Sequence, residues 1–406
     1  MAAMNALAGI RVLDFSKVLA GPLCAQYLGD MGADVIKIEP PEGGEDARRY
    51  PPFRRSGDRA DGTIFLAVNR NKRSAAIDMK SEAGRAISQR LALSADVVIE
   101  SFGPGVAERL GIDHATLIAL NPRLVHCGIS GYGNEGPMKQ GKGYDAVLQA
   151  FSGMLSITGE RGGPPVRSPY SPIDQATGMH ALVGIMAALF ERSRTGRGGR
   201  IEASLFDTAV AFLGYIVQGY WEEGREPEKP GSSHDSLCPY EVFDARDKPF
   251  LLGVANDSLW RSFCTVAGVP TLAADPRFVT NTLRVGHRQE TVATVAALLK
   301  TRDRDEWIVE LSKAGIPCAP VHSLKEMLGH PHTAASQIVQ RYDHPAYGAS
   351  STVAQPVKFD GDRSPVRRPP PLHGEHSREV LLEAGYSSAE VDAYVAQKVI
   401  VQAKEI

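Results

Sequence analysis

The sequence predicts an α/β fold built on a parallel sheet. Two observations carry this prediction. Strand-like apolar runs alternate with helical patterns through the first half of the chain, and a second α/β pattern occupies residues 240–325. Strands that alternate with helices form parallel sheets with right-handed crossovers. In order, Gly9 to Phe15 (GIRVLDF) reads as a buried strand, Leu23 to Met31 as a helix and Asp34 to Glu39 as a second strand. Ser74 to Met79 is strand-like. Ser81 then caps a helix running to about Ser94, and Asp96 to Ser101 and Leu124 to Ser130 are further strands. A long helix spans Gln175 to Arg194. Gly196, Gly198 and Gly199 close it, because glycine takes the left-handed conformation that ends a helix. Arg200 to Ser204 comes next as a strand.

The turn-rich stretch Gly224 to Ser236 predicts a domain connection. Beyond it come a strand at Pro249–Val254 and helices at Ser258–Ala267, Thr291–Leu299 and Asp305–Ala314. Residues 345–376 are rich in Pro and Gly and read as a surface strap. Helices at Ser377–Ala384 and Ser388–Ile400 end the chain. The boundaries drawn from this are 1–225, 226–325 and 326–406.

The composition is that of a soluble globular protein, with 43% hydrophobic and 23% charged residues over 406 positions. Lys and Arg (45) nearly balance Asp and Glu (47), which argues against a nucleic-acid or membrane-surface partner. The longest apolar stretch, near 181–190, is too short to span a bilayer. No charged region followed by a long apolar run marks a signal peptide at the start. Five cysteines without a CxxC pair fit a reducing cytoplasm.

The first βαβ unit places Glu39 where an acid would hold a ribose hydroxyl. Its turn, Ser16-Lys17-Val18-Leu19-Ala20-Gly21-Pro22, lacks the GxGxxG that dinucleotide binding needs. P-loop, zinc and GxSxG signatures are absent from the sequence, and no metal is expected. The basic run Asn69-Arg70-Asn71-Lys72-Arg73 has two readings, a solvated loop or an anion clamp with several donors converging on phosphate. Arg109 comes after the turn Ser101-Phe102-Gly103-Pro104-Gly105. Such a turn exposes N–H groups beside an Arg, or is simply a helix start. Asp174 precedes the long helix. It reads as an N-cap, and, compatibly, as a carboxylate that the helix N-terminus keeps ionised, as a nucleophile must be.

The order of motifs resembles the class III CoA-transferases, the family of formyl-CoA and succinyl-CoA:dicarboxylate transferases and α-methylacyl-CoA racemases. The matching segments are LDFSKVLAGP (13–22), LGDMGADVIKIE (28–39), NRNKRSAAIDMK (69–80), SFGPGVAERLG (101–111), GYGNEGP (131–137) and KGYDAVLQAFSG (142–153). SPIDQATG (171–178), ALFERSRTGRGGRIEASLFD (188–207), DPRFVTNTLRVGHR (275–288) and PPPLHGEHS (369–377) continue in the same order. The resemblance implies a large Rossmann-like domain built from both chain ends, a smaller middle domain and an interlocked homodimer. It implies Asp174 as covalent nucleophile and CoA contacts at Val18, Leu19, Ala20, Lys72, Arg73, Arg109, Lys142 and Tyr144. Coenzyme A enters as a thioester substrate, with no permanently bound cofactor. Arg48, Arg167, Ser233 and His234 are candidate contacts to the acid substrate, the last two on a lid at Gly231–Ser236.

Within the family, racemases move an α-proton with a His–Asp pair and a Glu; here the Asp is retained while its proton-transfer partners are not. Their places here are taken by Tyr144 and Asn256, which are poor bases at neutral pH. Transfer is therefore favoured over racemisation, and a non-catalytic CoA- or nucleotide-binding protein is the further alternative. Formyl-CoA transferases carry a Gln at the position of Leu19. This disfavours formate and oxalate, while the run Ser236-Leu237-Cys238-Pro239-Tyr240 resembles the dicarboxylate transferases, a likeness that implies succinyl-CoA as donor.

Overall fold

The computed structural model describes residues 5–403. The first four residues, which belong to the start read for a signal peptide, lie outside them. The described chain forms two units. One comprises Met1–Ser152, Ser168–Tyr215 and His332–Ile406, the other Gly153–Arg167 and Ile216–Pro331.

The first unit is built on six parallel strands: β1 (Arg11–Asp14), β2 (Asp34–Glu39), β3 (Lys72–Ile77), β4 (Val97–Glu100), β5 (Val125–Ser130) and β6 (Gly199–Ser204). Their order is β3-β2-β1-β4-β5-β6, with Ile400–Val401 added antiparallel outside β3. β1, β2 and β3 are buried almost end to end, as expected when both faces of a sheet are covered. Leu13, Ile36, Val98, Ile87 and Leu381 meet in one core. Each such side chain contributes roughly 1.5–3 kcal/mol by leaving water. The C-terminal segment thus completes the sheet begun by the N-terminal one.

Three helices frame the edge of this sheet: α1 (Ala20–Asp30), α2 (Asp145–Phe151) and α3 (Pro172–Thr195). The sequence places the starts of α1 and α3 three residues too late. Pro22 and Pro172 both sit in a first turn, where the missing N–H is not needed. α1 lies along α3. A Cβ on Gly178 would come within 2.4 Å of the Ala20 carbonyl, so glycine there sets how closely the helices approach. α3 ends at Gly196 with φ 73°. The strap at 345–376 includes half of a hairpin, Val339–His344 with Gly348–Val353. The final helix stops at Ala396, short of Ile400.

The second unit has a three-stranded antiparallel sheet, Cys318–Pro320 beside Pro249–Gly253 beside Tyr240–Asp244. Trp260, Phe263, Phe250 and Trp307 form its core. The segment Gly153–Arg167 joins this unit rather than the one before it in sequence. The Gly231 N–H donates to Gly159 O at 3.0 Å, and Arg161 pairs with Glu228.

Candidate active site

Strand order reverses between β1 and β4, so the loops that leave these strands part and open a crevice at the carboxyl edge of the sheet. Ligands of open α/β sheets bind at such a point. A cavity of about 640 Å³ lies there, lined by Lys17–Gly21 after β1, Ser101–Gly105 after β4 and Ser130–Asn134 after β5. Gly143, Tyr144 and Asp174 line it as well. Gly143 and Gly131 cross backbone to backbone. A Cβ on Gly143 would stand 2.4 Å from Gly131 Cα, and this closeness holds the 141–144 loop against the sheet edge.

Asp174 is the third residue of α3, not its N-cap. That place is held by Ser171, with φ 50° and no side-chain bond. The capping is done from a distance. Asp145, buried at the start of α2, accepts the Ile173 N–H at 2.8 Å and the Asp174 N–H at 3.2 Å on one oxygen. Gln149 donates to its other oxygen and is itself held by Ser168. Relieved of capping, the Asp174 carboxylate takes no hydrogen bond from any described residue and faces the cavity. Burial, with the nearby Asp145 carboxylate, pushes its pKa up to about 7. This overturns the expectation that the helix N-terminus keeps Asp174 ionised. The Ile173 and Asp174 N–H groups, among those expected to do so, are already occupied by Asp145.

Val18, Leu19, Ala20, Lys142 and Tyr144 share the cavity wall with Asp174. Arg109 is exposed on the short helix Val106–Leu110, whose Ala107 and Glu108 reach the cavity while Arg109 itself is not part of the lining. Lys72 and Arg73 are corrections. The basic run is neither a solvated loop nor a free clamp, because its last two residues open β3 inside the protein. Lys72 Nζ donates to Asp14 Oδ2, Pro22 O and Asn69 Oδ1, each at 2.8 Å, which uses all three of its protons. Burial draws its pKa down to about 8. Arg73 is bound by Asp34, Glu379 and Glu383.

Arg48 is also corrected. It is buried, with Nε 2.7 Å from Glu39 Oε2 and Nη1 2.9 Å from Asp61, and it lies over the Phe65 ring. It has no freedom to hold a distal carboxylate. Glu39 is thereby held far below the usual carboxylate range despite its burial, and is engaged in this pair instead of with a ribose. Arg167, Ser233 and His234 belong to the second unit. Arg167 is exposed, Ser233 Oγ donates to Pro230 O at 2.7 Å, and His234 Nδ1 accepts the Ser236 N–H at 3.1 Å. Asn256, at the position of the racemase Glu, caps the helix Asp257–Val266 by accepting the Leu259 N–H at 2.9 Å.

Sequence reasoning missed several residues. Lys17 and Lys139 line the cavity as cations alongside Lys142. Glu100 lines it with a pKa pushed to about 7 by burial. Asp145 stands next to Tyr144 in a motif read for Lys142 and Tyr144 alone. Its signal was an Asp opening a short helix, which reads as an ordinary first-turn acid.

The chain matches the pattern of CoA-transferase family III over residues 7–377. It is 35% identical to a succinyl-CoA:glutarate CoA-transferase of Mus musculus over 98% of this chain and 91% of that one. It is 37% identical to a succinate–glutarate CoA-transferase of Agrobacterium fabrum, covering 93% and 95% of the two chains. A formyl-CoA:oxalate CoA-transferase of Escherichia coli is 33% identical over 95% of this chain and 97% of that one. The crystal structure of a CAIB/BAIF family protein from Brucella suis superposes with a TM-score of 0.83, 33% identity and coverage of 93% and 99%. The chain, an α/β protein with a crevice at its topological switch point, therefore belongs to CoA-transferase family III and is an enzyme that transfers coenzyme A.

Proposed function

We propose that this enzyme moves coenzyme A from succinyl-CoA, or a close analogue, to a dicarboxylic acid, with Asp174 as the covalent nucleophile. One observation carries the reading. Asp174 is a carboxylate without a hydrogen-bond donor among the described residues, on the wall of the cavity that the start of α1 also lines. In the ionised form it attacks the thioester carbonyl. The C–S bond breaks, giving an acyl-aspartyl anhydride and CoA thiolate. The thiolate attacks the aspartyl carbonyl, releasing the donor acid and leaving an aspartyl-CoA thioester. The acceptor carboxylate then displaces the thiolate to form a second anhydride. The thiolate takes the acyl group from that anhydride and frees Asp174. Holding CoA throughout keeps the thiolate at high effective concentration.

Each attack places negative charge on a carbonyl oxygen. The N–H groups that open α3 are engaged by Asp145, so the donors are assigned to the first turn of α1. Ala20 and Gly21 have no intrahelical partner there. Lys17, Lys139 and Lys142 supply positive charge for the CoA phosphates. The glutarate transferases among its relatives support a dicarboxylic acceptor.

We further propose a homodimer. α3 is long and apolar enough to cross a membrane by length and composition. Arg192 in its last turn is instead docked on Asp96 at 2.9 Å. Val183 and Phe190 are 67% and 68% exposed on this helix, an apolar face that a second copy would cover. Light scattering at twice 43.7 kDa supports the dimer, and the single-chain mass refutes it.

Incubation with succinyl-CoA and hydroxylamine, followed by peptide mass spectrometry, tests the mechanism. A hydroxamate on Asp174 that is absent from Asp174→Ala is expected. Absence of any such adduct across a panel of acyl-CoA donors refutes covalent transfer.

A further inference from the structure

The turn that delivers α1 to the cavity is strained and pinned from below. Val18 has φ 66°. This is the left-handed region, which a β-branched residue enters only when its surroundings force it. Three bonds do the forcing. Lys37 Nζ donates to Ser16 O at 3.0 Å, the Lys17 N–H to Ser101 Oγ at 3.0 Å, and the Val18 N–H to Glu45 Oε2 at 2.8 Å. Two of these come from the cavity rim or the sheet. The third comes from a carboxylate that is 1% exposed.

Glu45 is an expensive way to satisfy one N–H. Its other oxygen, Oε1, is buried with no hydrogen-bond partner, and Lys37 Nζ lies 3.9 Å from it. A buried unsatisfied oxygen destabilises a fold and requires an explanation. The residue is also rigid. Its own N–H donates to Glu39 Oε2 at 3.1 Å, and the Arg48 N–H donates to its carbonyl at 3.1 Å. That ties Glu45 to the buried Glu39–Arg48–Asp61 cluster. A fixed carboxyl group therefore stands under the one backbone N–H whose orientation sets φ at Val18, just before the helix turn that faces the thioester.

We propose that Glu45 is a positioning residue for acyl transfer. By holding the Val18 N–H it fixes the strained turn that aims the Ala20 and Gly21 N–H groups at the reacting carbonyl. The inference rests on the proposed transfer of CoA through Asp174. Glu45 touches neither substrate nor nucleophile. Its loss misplaces donors that matter most in the transition state, so kcat falls while substrate affinity stays, by about 10- to 100-fold for a displacement near 1 Å.

Three variants of this chain separate this from a merely structural role. Glu45→Ala removes the acceptor, Glu45→Gln keeps an oxygen that accepts the Val18 N–H, and Val18→Gly releases the strain without touching the ion cluster. Initial rates with succinyl-CoA and glutarate, and thermal melting, are measured for each. The expected result is a kcat loss of about 10- to 100-fold in Glu45→Ala with KM for succinyl-CoA within about 3-fold of wild type. Glu45→Gln should recover most of that loss. Val18→Gly should lose kcat by about 10-fold while melting no lower than wild type. The inference is overturned if Glu45→Gln is as slow as Glu45→Ala. It is equally overturned if the loss falls on KM, or if Val18→Gly keeps full kcat. Should Glu45→Ala fail to fold, the other two variants decide. Wild type that transfers CoA between no acids at all overturns the transfer reading and this inference with it, whereas an active wild type with unaffected variants sinks the inference alone.

Discussion

Replacing Asp145 with asparagine keeps the side chain's shape and one acceptor for the Ile173 N–H, but removes the charge beside Asp174. The pKa of Asp174 stands at about 7 against an ordinary 3.8, which corresponds to roughly 4 kcal/mol disfavouring the ionised form. Burial is the larger cause and Asp145 the smaller, so the charge accounts for at most about 2 kcal/mol of that. The nucleophile must be ionised, so wild-type kcat/KM should rise with pH through about 7 and level off above it. In Asp145→Asn the midpoint should move down by about one pH unit. The plateau should fall as well, because Gln149 loses its carboxylate acceptor. The assay is the initial rate of transfer from succinyl-CoA to glutarate between pH 5.5 and 8.5. A wild-type profile flat across this range refutes the claim that Asp174 ionisation gates attack. An unmoved midpoint in the variant refutes the role of Asp145 in setting it.

Asp174→Asn should abolish transfer and stabilise the fold. The carboxylate binds its proton more tightly folded than unfolded, so its penalty is absent below about pH 4, grows as pH rises and is complete above about 7. The melting temperature should therefore exceed wild type by at least ~2 °C at pH 8 and by little at pH 4.5; equal melting at both refutes the buried-charge account. Lys72→Ala should lower stability by about 3 kcal/mol through an underpaired Asp14. Lys142→Ala should leave melting unchanged and raise KM for succinyl-CoA about 10-fold, more at low salt. A stable Lys72→Ala with a selective KM defect would return Lys72 to the phosphate site. Gly178→Ala should cost about 1–3 kcal/mol and lower kcat, since its methyl must push the Ala20 carbonyl away from α3. Unchanged melting and turnover would show that the α1–α3 approach is not held by that glycine.

Periodicity and punctuation made much of the large unit legible. β2 runs from Asp34 to Glu39 as read, and Ser81 caps the helix Glu82–Leu93 with its hydroxyl on the Gly84 N–H. These signals survive because they are local: an apolar run, a hydroxyl at a helix start, a glycine at its end.

Charge was where sequence reading failed. Lys72, Arg73 and Arg48 are long cations beside turns, the residue type and place that a phosphate or carboxylate site would have. Their partners, Asp14, Asp34, Glu39, Asp61 and Glu383, lie 9 to 310 positions away. Whether a cation is free depends on which acids the fold brings within 3 Å, and spacing along a chain carries none of that. The sequence by itself determined the α/β class, the aspartate before the long helix and, through its motifs, the family. Only the tertiary structure decided that Asp145 caps that helix and leaves Asp174 without a donor, and which lysines face the cavity. It also decided that a strained Val18 is held from beneath by Glu45. Each of these is a pairing across the chain, set by the sheet order and the burial it imposes, where the free energy of a charge depends on its neighbours in space.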